Sequence, residues 1–420
     1  MGESTGQRRA LVIGAGIVGV CSGLYLQRAG FRVALVDPEP PGESCSFGNA
    51  GLLATNGVIP VATPGTLKAV PGWIGDPTAP LSIRWSYLPR LVPWLARFLA
   101  SSTPARVADI SAALAQLTDR VFDAYQPLID NARAQHLVRR NGVMFVYGTA
   151  KSFAKDEPDI AVRRRHGVKV EEIGIDEMRQ LAPGLGDVHP RGRFLPDPGH
   201  TVSPIDFTRA LVEDFRSRGG EIHTDRALGF DDFGPEGPRT VVGERGRHAA
   251  DVIVVAAGSW SRSLVRALDH DVPLDTERGY HAVLPDCGVE LKVPIMYAEG
   301  KFALTPMSAG LRVAGTVEFA GVDAEPDMRR ARILVDKTRR LFPRLAVDEA
   351  RMTTWMGRRP SMPDSLPVIG RVPGHRNVLL AFGHGHLGLT FGAITGKLVA
   401  ELAAGTTPSV DLAPYRPERF

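Results

Sequence analysis

Three glycines, Gly14, Gly16 and Gly19, stand in G-x-G-x-x-G spacing directly after the apolar run 10–13. That spacing brings backbone amides up to a pyrophosphate. Gly14 permits a sharp turn out of a strand, Gly16 leaves room for phosphates against the backbone, and Gly19 lets the next helix lie on the sheet. The helix start then offers free N–H groups and a partial positive charge to the phosphates. Asp37 follows about 20 residues on, where a carboxylate can hydrogen-bond ribose hydroxyls. It would repel a 2′-phosphate, so the dinucleotide is NAD or FAD. A lone glycine fingerprint also marks ordinary turns. Here the flanks agree with it: Ile17, Val20, Cys21 and Leu24 recur at helical spacing, Gly30 ends the helix, and 33–36 reads as a second buried strand.

Further glycine-bearing stretches could approach the same ligand. Residues 38–54 are a loop of small residues straight after the second strand, a position that favours a cofactor contact over a plain surface loop. The run 251–260 is a buried strand entering glycine. Residues 377–402 read as strand, Gly/His loop and helix, with Phe391, Ile394, Leu398 and Leu402 inward and Gly405 as the stop. Because these pieces are far apart, the cofactor domain is discontinuous.

Between them, 105–133 reads as one long amphipathic helix with Leu114, Leu117, Val121, Tyr125 and Leu128 on one face and a kink at Pro127. Strands are expected at 142–147 and 168–173. A polar helical stretch over 150–166 breaks near Pro158, and a short helix over 176–181 takes Asp176 as N-cap. Ser203, Pro204 and Asp206 open a capped helix that runs to glycine at 219–220. Alternating strands over 271–345 end in a helix over 328–341. The predicted fold class is α/β: a Rossmann-like FAD- or NAD-binding domain from 1–56, 199–265 and 352–420, and an α+β substrate domain with a mixed or antiparallel sheet from 57–198 and 266–351.

At 420 residues and 44% hydrophobic, the chain suits two or three packed domains. Its net charge of +4 is slight and its arginines are scattered, which does not suggest nucleic-acid binding. Cys21, Cys45 and Cys287 form no C-x-x-C pair, no metal is expected, and a reducing compartment is implied. No unbroken apolar run reaches the ~18 residues of a membrane span. The first residues lack a signal-peptide core, and Gly6 breaks the myristoylation pattern after Gly2. The expected location is the cytoplasm. Residues 73–99 carry prolines at 77, 80, 89 and 93 and an aromatic, basic cluster from 84. Two readings stay open for 84–99: an amphipathic core helix, or an interfacial patch at the inner face of the cell membrane.

Six motifs in order resemble the FAD-dependent D-amino-acid oxidase superfamily, and within it the bacterial D-amino-acid dehydrogenase small-subunit type. They are the fingerprint at 14–19, Ser46-Phe-Gly-Asn-Ala-Gly51, Val254-Val-Ala-Ala-Gly-Ser-Trp260, Thr276-Glu-Arg-Gly-Tyr-His281, the stretch 357–370 and Gly383-His-Gly-His-Leu-Gly-Leu-Thr390. The resemblance implies extended, non-covalent FAD. Its implied contacts are Gly14, Gly16, Ile17, Val18, Gly19, Asp37, Pro38, Ser44, Ser46, Asn49, Ala50, Gly51, Leu52, Ala227, Gly258, Trp260, Gly385, Leu387, Gly388, Leu389 and Thr390. Amides of Gly388, Leu389 and Thr390 would stabilise charge growing at flavin N1 and the C2 carbonyl. The resemblance also implies Arg359 as a fork on the substrate carboxylate, with Arg358 on the other side of the strand. Tyr280 would contact or close over that carboxylate, and His386, with His281 and His384, could touch flavin or substrate. The implied reaction is oxidative deamination of a D-amino acid, with oxygen or a quinone as acceptor and an oligomer possible. A secondary amine such as sarcosine or hydroxy-D-proline is an alternative substrate, and an electron-relay subunit an alternative role.

Overall fold

The computed structural model describes residues 7–72, 76 and 78–420. The features at Met1, Gly2 and Gly6, and Trp73 and Pro77 of the proline-rich stretch, lie outside the described residues.

Ala10 to Ile13 are all buried because the strand Arg9–Ile13 lies inside a six-stranded sheet covered on both faces. The sheet order is Glu221–Thr224, Arg32–Asp37, Arg9–Ile13, Val252–Val255, His375–Phe382 and Val368–Val372, parallel except for the last strand. Its strands come from three separated parts of the sequence, and the parallel ones end at the same edge. One face is covered by helices Ile17–Arg28, Pro204–Ser217 and Gly388–Ala404, with the pair Pro104–Thr118 and Val121–Asn131 packed beyond them. The other carries the short helix Ser261–Arg266 and a three-stranded antiparallel sheet, Ala227–Gly234, Gly237–Gly243 and Arg247–Ala249.

By length and composition, residues 385–404 could cross a membrane, yet most of the stretch is buried inside the protein. A Cβ at Gly396 would lie 2.6 Å from the Cys21 carbonyl, so this helix and Ile17–Arg28 meet backbone to backbone. It is a core helix, stopped by Gly405 at φ 73° as expected.

The second sheet has nine strands. Thr353–Ser361, Asp275–Leu284, Gly310–Phe319, Phe302–Met307, Ile295–Tyr297, Val143–Val146, Arg191–Leu195 and Glu171–Gly174 follow in that order, with Leu81–Ile83 beside Gly310–Phe319. It is mixed but mainly antiparallel: only Ile295–Tyr297 with Val143–Val146, and Gly310–Phe319 with Leu81–Ile83, pair in parallel. Helix Arg329–Leu341 packs on one face through Leu334 and Val335.

Four local expectations change. Thr353–Ser361, grouped by sequence with the cofactor segments, pairs along its whole length with residues 275–283 of the second sheet. The single helix over 105–133 is two helices, broken at Arg120 (φ −107°, ψ 3°); Pro127 sits inside the second. The cap of Ile175–Leu181 is Gly174, whose N–H donates to Glu177 Oε2, and Asp176 lies in the first turn. The stretch 84–99 is divided. Within helix Leu88–Ser101, Leu91, Trp94 and Phe98 turn inward, and Trp94 packs 5.2 Å from Phe98 and 5.1 Å from Phe319 while its Nε1 donates to the Ser361 carbonyl. Trp85, Val92 and Leu99 stay exposed.

Candidate active site

Backbone geometry at the edge of the parallel sheet leaves no room for side chains at Gly14 and Gly19 of the fingerprint. Gly14 has φ 111°, and a Cβ there would stand 2.3 Å from the Ala256 carbonyl oxygen. A Cβ at Gly19 would stand 1.9 Å from the Gly14 carbonyl oxygen. No side chain caps helix Ile17–Arg28 at Gly16, which leaves part of its first turn free for an anion. Asp37 ends the second strand and accepts hydrogen bonds from Ala15 N–H (2.7 Å) and Glu39 N–H (2.9 Å). Burial holds its carboxyl above the ordinary range. Pro38, Ala227 and Gly258 follow the ends of neighbouring parallel strands, at the same edge.

The loop 44–54 leads from this edge to the second sheet and is fastened at many points. Ser46 Oγ accepts from Ile17 N–H (2.9 Å), joining loop to helix. Asn49 Oδ1 accepts from Gly51 N–H, and Thr305 donates to the Ala50 carbonyl. Arg312 donates from Nη1 to the carbonyls of Phe47 and Asn49 at 3.1 and 2.7 Å. A Cβ at Gly48 would meet the Trp355 ring at 1.8 Å. Thr390 Oγ1 bridges Leu52 and Ala54, tying the loop to helix Gly388–Ala404, whose N-terminus also lacks a side-chain cap.

A cavity of about 880 Å³ opens between these parts. Asn49, Ala50, Leu52, Gly385, His386, Leu387 and Thr390 line it from the cofactor side, and Arg359, Glu277 and Gly279 from the second sheet. Arg359 reaches across Gly279, whose missing side chain admits it: a Cβ there would be 2.1 Å from Arg359 Nη2. Its Nη1 donates to the Thr316 carbonyl (3.0 Å). Arg358 points the other way, donating from Nε to the Val322 carbonyl (2.6 Å) and resting 5.9 Å from the Trp260 ring. Trp260 is 40% exposed and does not line the cavity.

Tyr280 follows Gly279 on the strand and lines the cavity too. Its hydroxyl donates to Glu318 Oε2 (2.5 Å) and accepts from Asp327 N–H (3.0 Å), so the polar tip expected near a substrate carboxylate is held by a buried network. Arg278 and Arg84 complete that network around Glu318. The histidines separate by role. Burial pulls His384 down to about 3, and its Nε2 pairs with Thr395 Oγ1. His281 is likewise pulled down to about 3 by burial and by Arg312; its Nδ1 pairs with the Gly48 carbonyl and its ring stacks on Trp355. His386 alone of the three opens into the cavity, where enclosure and Arg359 hold it down to about 4. It is a neutral ring at neutral pH.

A histidine whose folded pKa is depressed binds its proton less well than in the unfolded chain. The stability it contributes is therefore present above about 6.5 and lost as pH falls toward 3. His281→Gln should remove that dependence: between pH 7 and pH 4 the wild type should lose about 3 kcal/mol relative to the variant in denaturant unfolding. Parallel profiles would show that the His281 ring is not buried neutral.

Three residues of the site are not singled out by the sequence: Arg312 and Trp355, which hold the loop and carry no local signal of that role, and Glu277. All ten positions of Asp275–Leu284 are buried. A carboxylate at 277 in such a strand is the signal that could have drawn attention to it.

An open α/β sheet with a phosphate-binding turn, joined through a fastened loop to an arginine-lined cavity, defines a dinucleotide-dependent enzyme. The chain belongs to the FAD dependent oxidoreductase family, which matches residues 9–402. It is 41% identical to a D-amino-acid oxidase of Bradyrhizobium diazoefficiens, over 98% of this chain and 99% of that one. It is 31% identical to a D-amino acid dehydrogenase of Dechloromonas aromatica, over 95% and 98%. The fold is that of glycine oxidase from Geobacillus kaustophilus, with a TM-score of 0.74 at 19% identity over 99% of this chain and 100% of that one. It is also that of iminodiacetate oxidase from Chelativorans, with 0.73 at 22% over 97% and 99%.

The cofactor is therefore FAD, and the residues fit it: glycines where a Cβ would intrude, a carboxylate at the end of the second strand, and two uncapped helix N-termini. Cys45 is the cysteine nearest this path. Burial pushes its thiol up to about 11, against the pull of Arg359 and Arg358, so it stays protonated and a poor nucleophile. Denaturing the purified protein should release free FAD into the supernatant. Flavin remaining on the denatured chain would contradict non-covalent binding.

Proposed function

We propose that the protein oxidatively deaminates a D-amino acid to the 2-oxo acid and ammonia. The observation that carries this reading is Arg359, laid over Gly279 and facing a cavity whose other wall is the cofactor loop. A planar guanidinium grips a carboxylate through two parallel hydrogen bonds and so fixes the orientation of the α-carbon. FAD, when bound, would supply a two-electron acceptor for the hydride that leaves the α-carbon. The neutral His386, the apolar walls and the rigid loop supply position and exclude water, and positioning accounts for most of the rate. The imine product then hydrolyses in water. The names of the two relatives support the D-amino-acid substrate class. Incubation with the preferred D-amino acid and an artificial acceptor should yield 2-oxo acid and ammonia in one-to-one ratio with acceptor reduced. Reduction without ammonia would rule out deamination.

The acceptor is oxygen or a quinone. Support for a membrane quinone is the exposure of Trp85, at 71%, and of Val92 and Leu99, with Arg90 and Arg97 also exposed in the same stretch. Binding to anionic vesicles should weaken several-fold in Trp85→Ala, whereas Trp94→Ala should cost stability, since Trp94 is core. Vesicle binding that is absent in the wild type would remove the peripheral-membrane reading.

A further inference from the structure

Glu277 is 5% exposed, and its one hydrogen bond among the described residues is the Ser361 hydroxyl on Oε1, at 2.6 Å. It stands directly opposite Arg359 in the antiparallel register, so both side chains rise from the same face of the sheet. Yet the two do not form an ion pair. Arg359 swings over Gly279 to the Thr316 carbonyl, and both residues line the cavity. A buried carboxylate left without a full set of partners is costly, and side chains at directly opposed positions start about 5 Å apart. A zwitterionic amino acid carries its two opposite charges on neighbouring atoms of the α-carbon. A guanidinium and a carboxylate side by side, each with hydrogen-bonding capacity turned to the cavity, form the complementary pair.

We propose that Glu277 is the second charged group that binds substrate: Oε2 receives the α-ammonium of the amino acid whose carboxylate Arg359 holds, and takes one proton from it. This rests on the amino-acid reading above and adds to it the recognition of the amine. The N–H bond breaks with its electron pair left on nitrogen, an O–H bond forms on Glu277, and no electron leaves the substrate in this step. The neutral amine that results has the lone pair needed to assist departure of hydride. Burial already holds the Glu277 carboxyl above the ordinary carboxylate range, with Arg359 drawing it back down and Asp275 pushing it further up. The other titratable groups facing it are His384 and His386 from the Gly/His turn, both held neutral by burial, and, across the cavity, the protonated Cys45.

The test uses the FAD-loaded protein and two ligands that cannot be oxidised. 2-Aminoisobutyrate has carboxylate and ammonium but no α-hydrogen; isobutyrate has the carboxylate alone. Titrations followed by the flavin absorbance should show Glu277→Gln weakening 2-aminoisobutyrate by about ten- to a hundredfold, the loss of one charge-assisted contact. Isobutyrate binding should change less than about threefold, which also shows that the isosteric variant is folded. Wild-type binding of 2-aminoisobutyrate should weaken as pH falls and Glu277 protonates, and the variant should lack this limb. Equal losses for both ligands, or no loss for either, would overturn the proposal. A wild type that binds neither ligand would instead overturn the amino-acid reading on which it stands.

Discussion

Arg359→Ala is expected to lower kcat/KM for the preferred D-amino acid by about 30- to several-thousand-fold, the equivalent of roughly 2–5 kcal/mol for a desolvated carboxylate left without its partner. The loss is large because the carboxylate is the handle that orients the α-carbon, so binding and chemistry suffer together. Arg359→Lys should recover only part of it, since an ammonium cannot reproduce the two parallel hydrogen bonds of the fork. Arg358→Ala should change the rate by less than about fivefold, because that side chain is spent on the Val322 carbonyl and the Trp260 ring on the far face of the strand. Single-turnover flavin reduction of the three variants measures this directly. A greater loss at 358 than at 359 would mean that the strand presents its other face to the substrate.

Gly19→Ala is expected to yield protein without FAD. The new Cβ would stand 1.9 Å from the Gly14 carbonyl oxygen and 2.9 Å from its carbon. Both atoms are backbone of the phosphate turn, so the helix N-terminus must move away from the pyrophosphate path. A displacement that removes even two hydrogen bonds to an anion weakens binding by about a hundredfold or more. Gly30→Ala is the matched control. Gly30 also has positive φ, at 88°, but nothing lies within 4 Å of its added Cβ, so it should cost about 1 kcal/mol of stability and keep its flavin. The visible spectrum after purification, followed by titration with FAD, separates the two. A Gly19→Ala protein as yellow as the wild type would show that the turn does not need its close approach.

What could be read from the residues depended on how local the determining contacts are. The turn at 14–19, the strands around it, the Ser203 cap and the stop at Gly405 are fixed by neighbours within a few positions, and their residue types announce them. The substrate end is not local. Which of Arg358 and Arg359 faces the cavity follows from register with a strand some 80 residues earlier, and the family resemblance, rather than any pattern of its own, singled out 359. Tyr280 shows the same dependence: it lines the cavity, but its hydroxyl is bonded to Glu318, a residue on a neighbouring strand that no local pattern connects with it. Thr353–Ser361 reads like any strand, and only its pairing assigns it to the second sheet. Trp94 and Trp85 sit in one aromatic stretch, but Trp94 lies on the inward face of helix Leu88–Ser101 while Trp85 precedes the helix in a turn and stays exposed.

We propose that Arg359 and the flavin together hold one hand of an amino acid for hydride transfer. Rapid anaerobic mixing of the FAD-loaded protein with paired D- and L-amino acids, followed by loss of the oxidised flavin absorbance, tests it most directly. Fast bleaching by D enantiomers, with their L partners slower by about a hundredfold or more, is the result expected. Bleaching by the L forms, or by sarcosine or hydroxy-D-proline but by no primary D-amino acid, would contradict it.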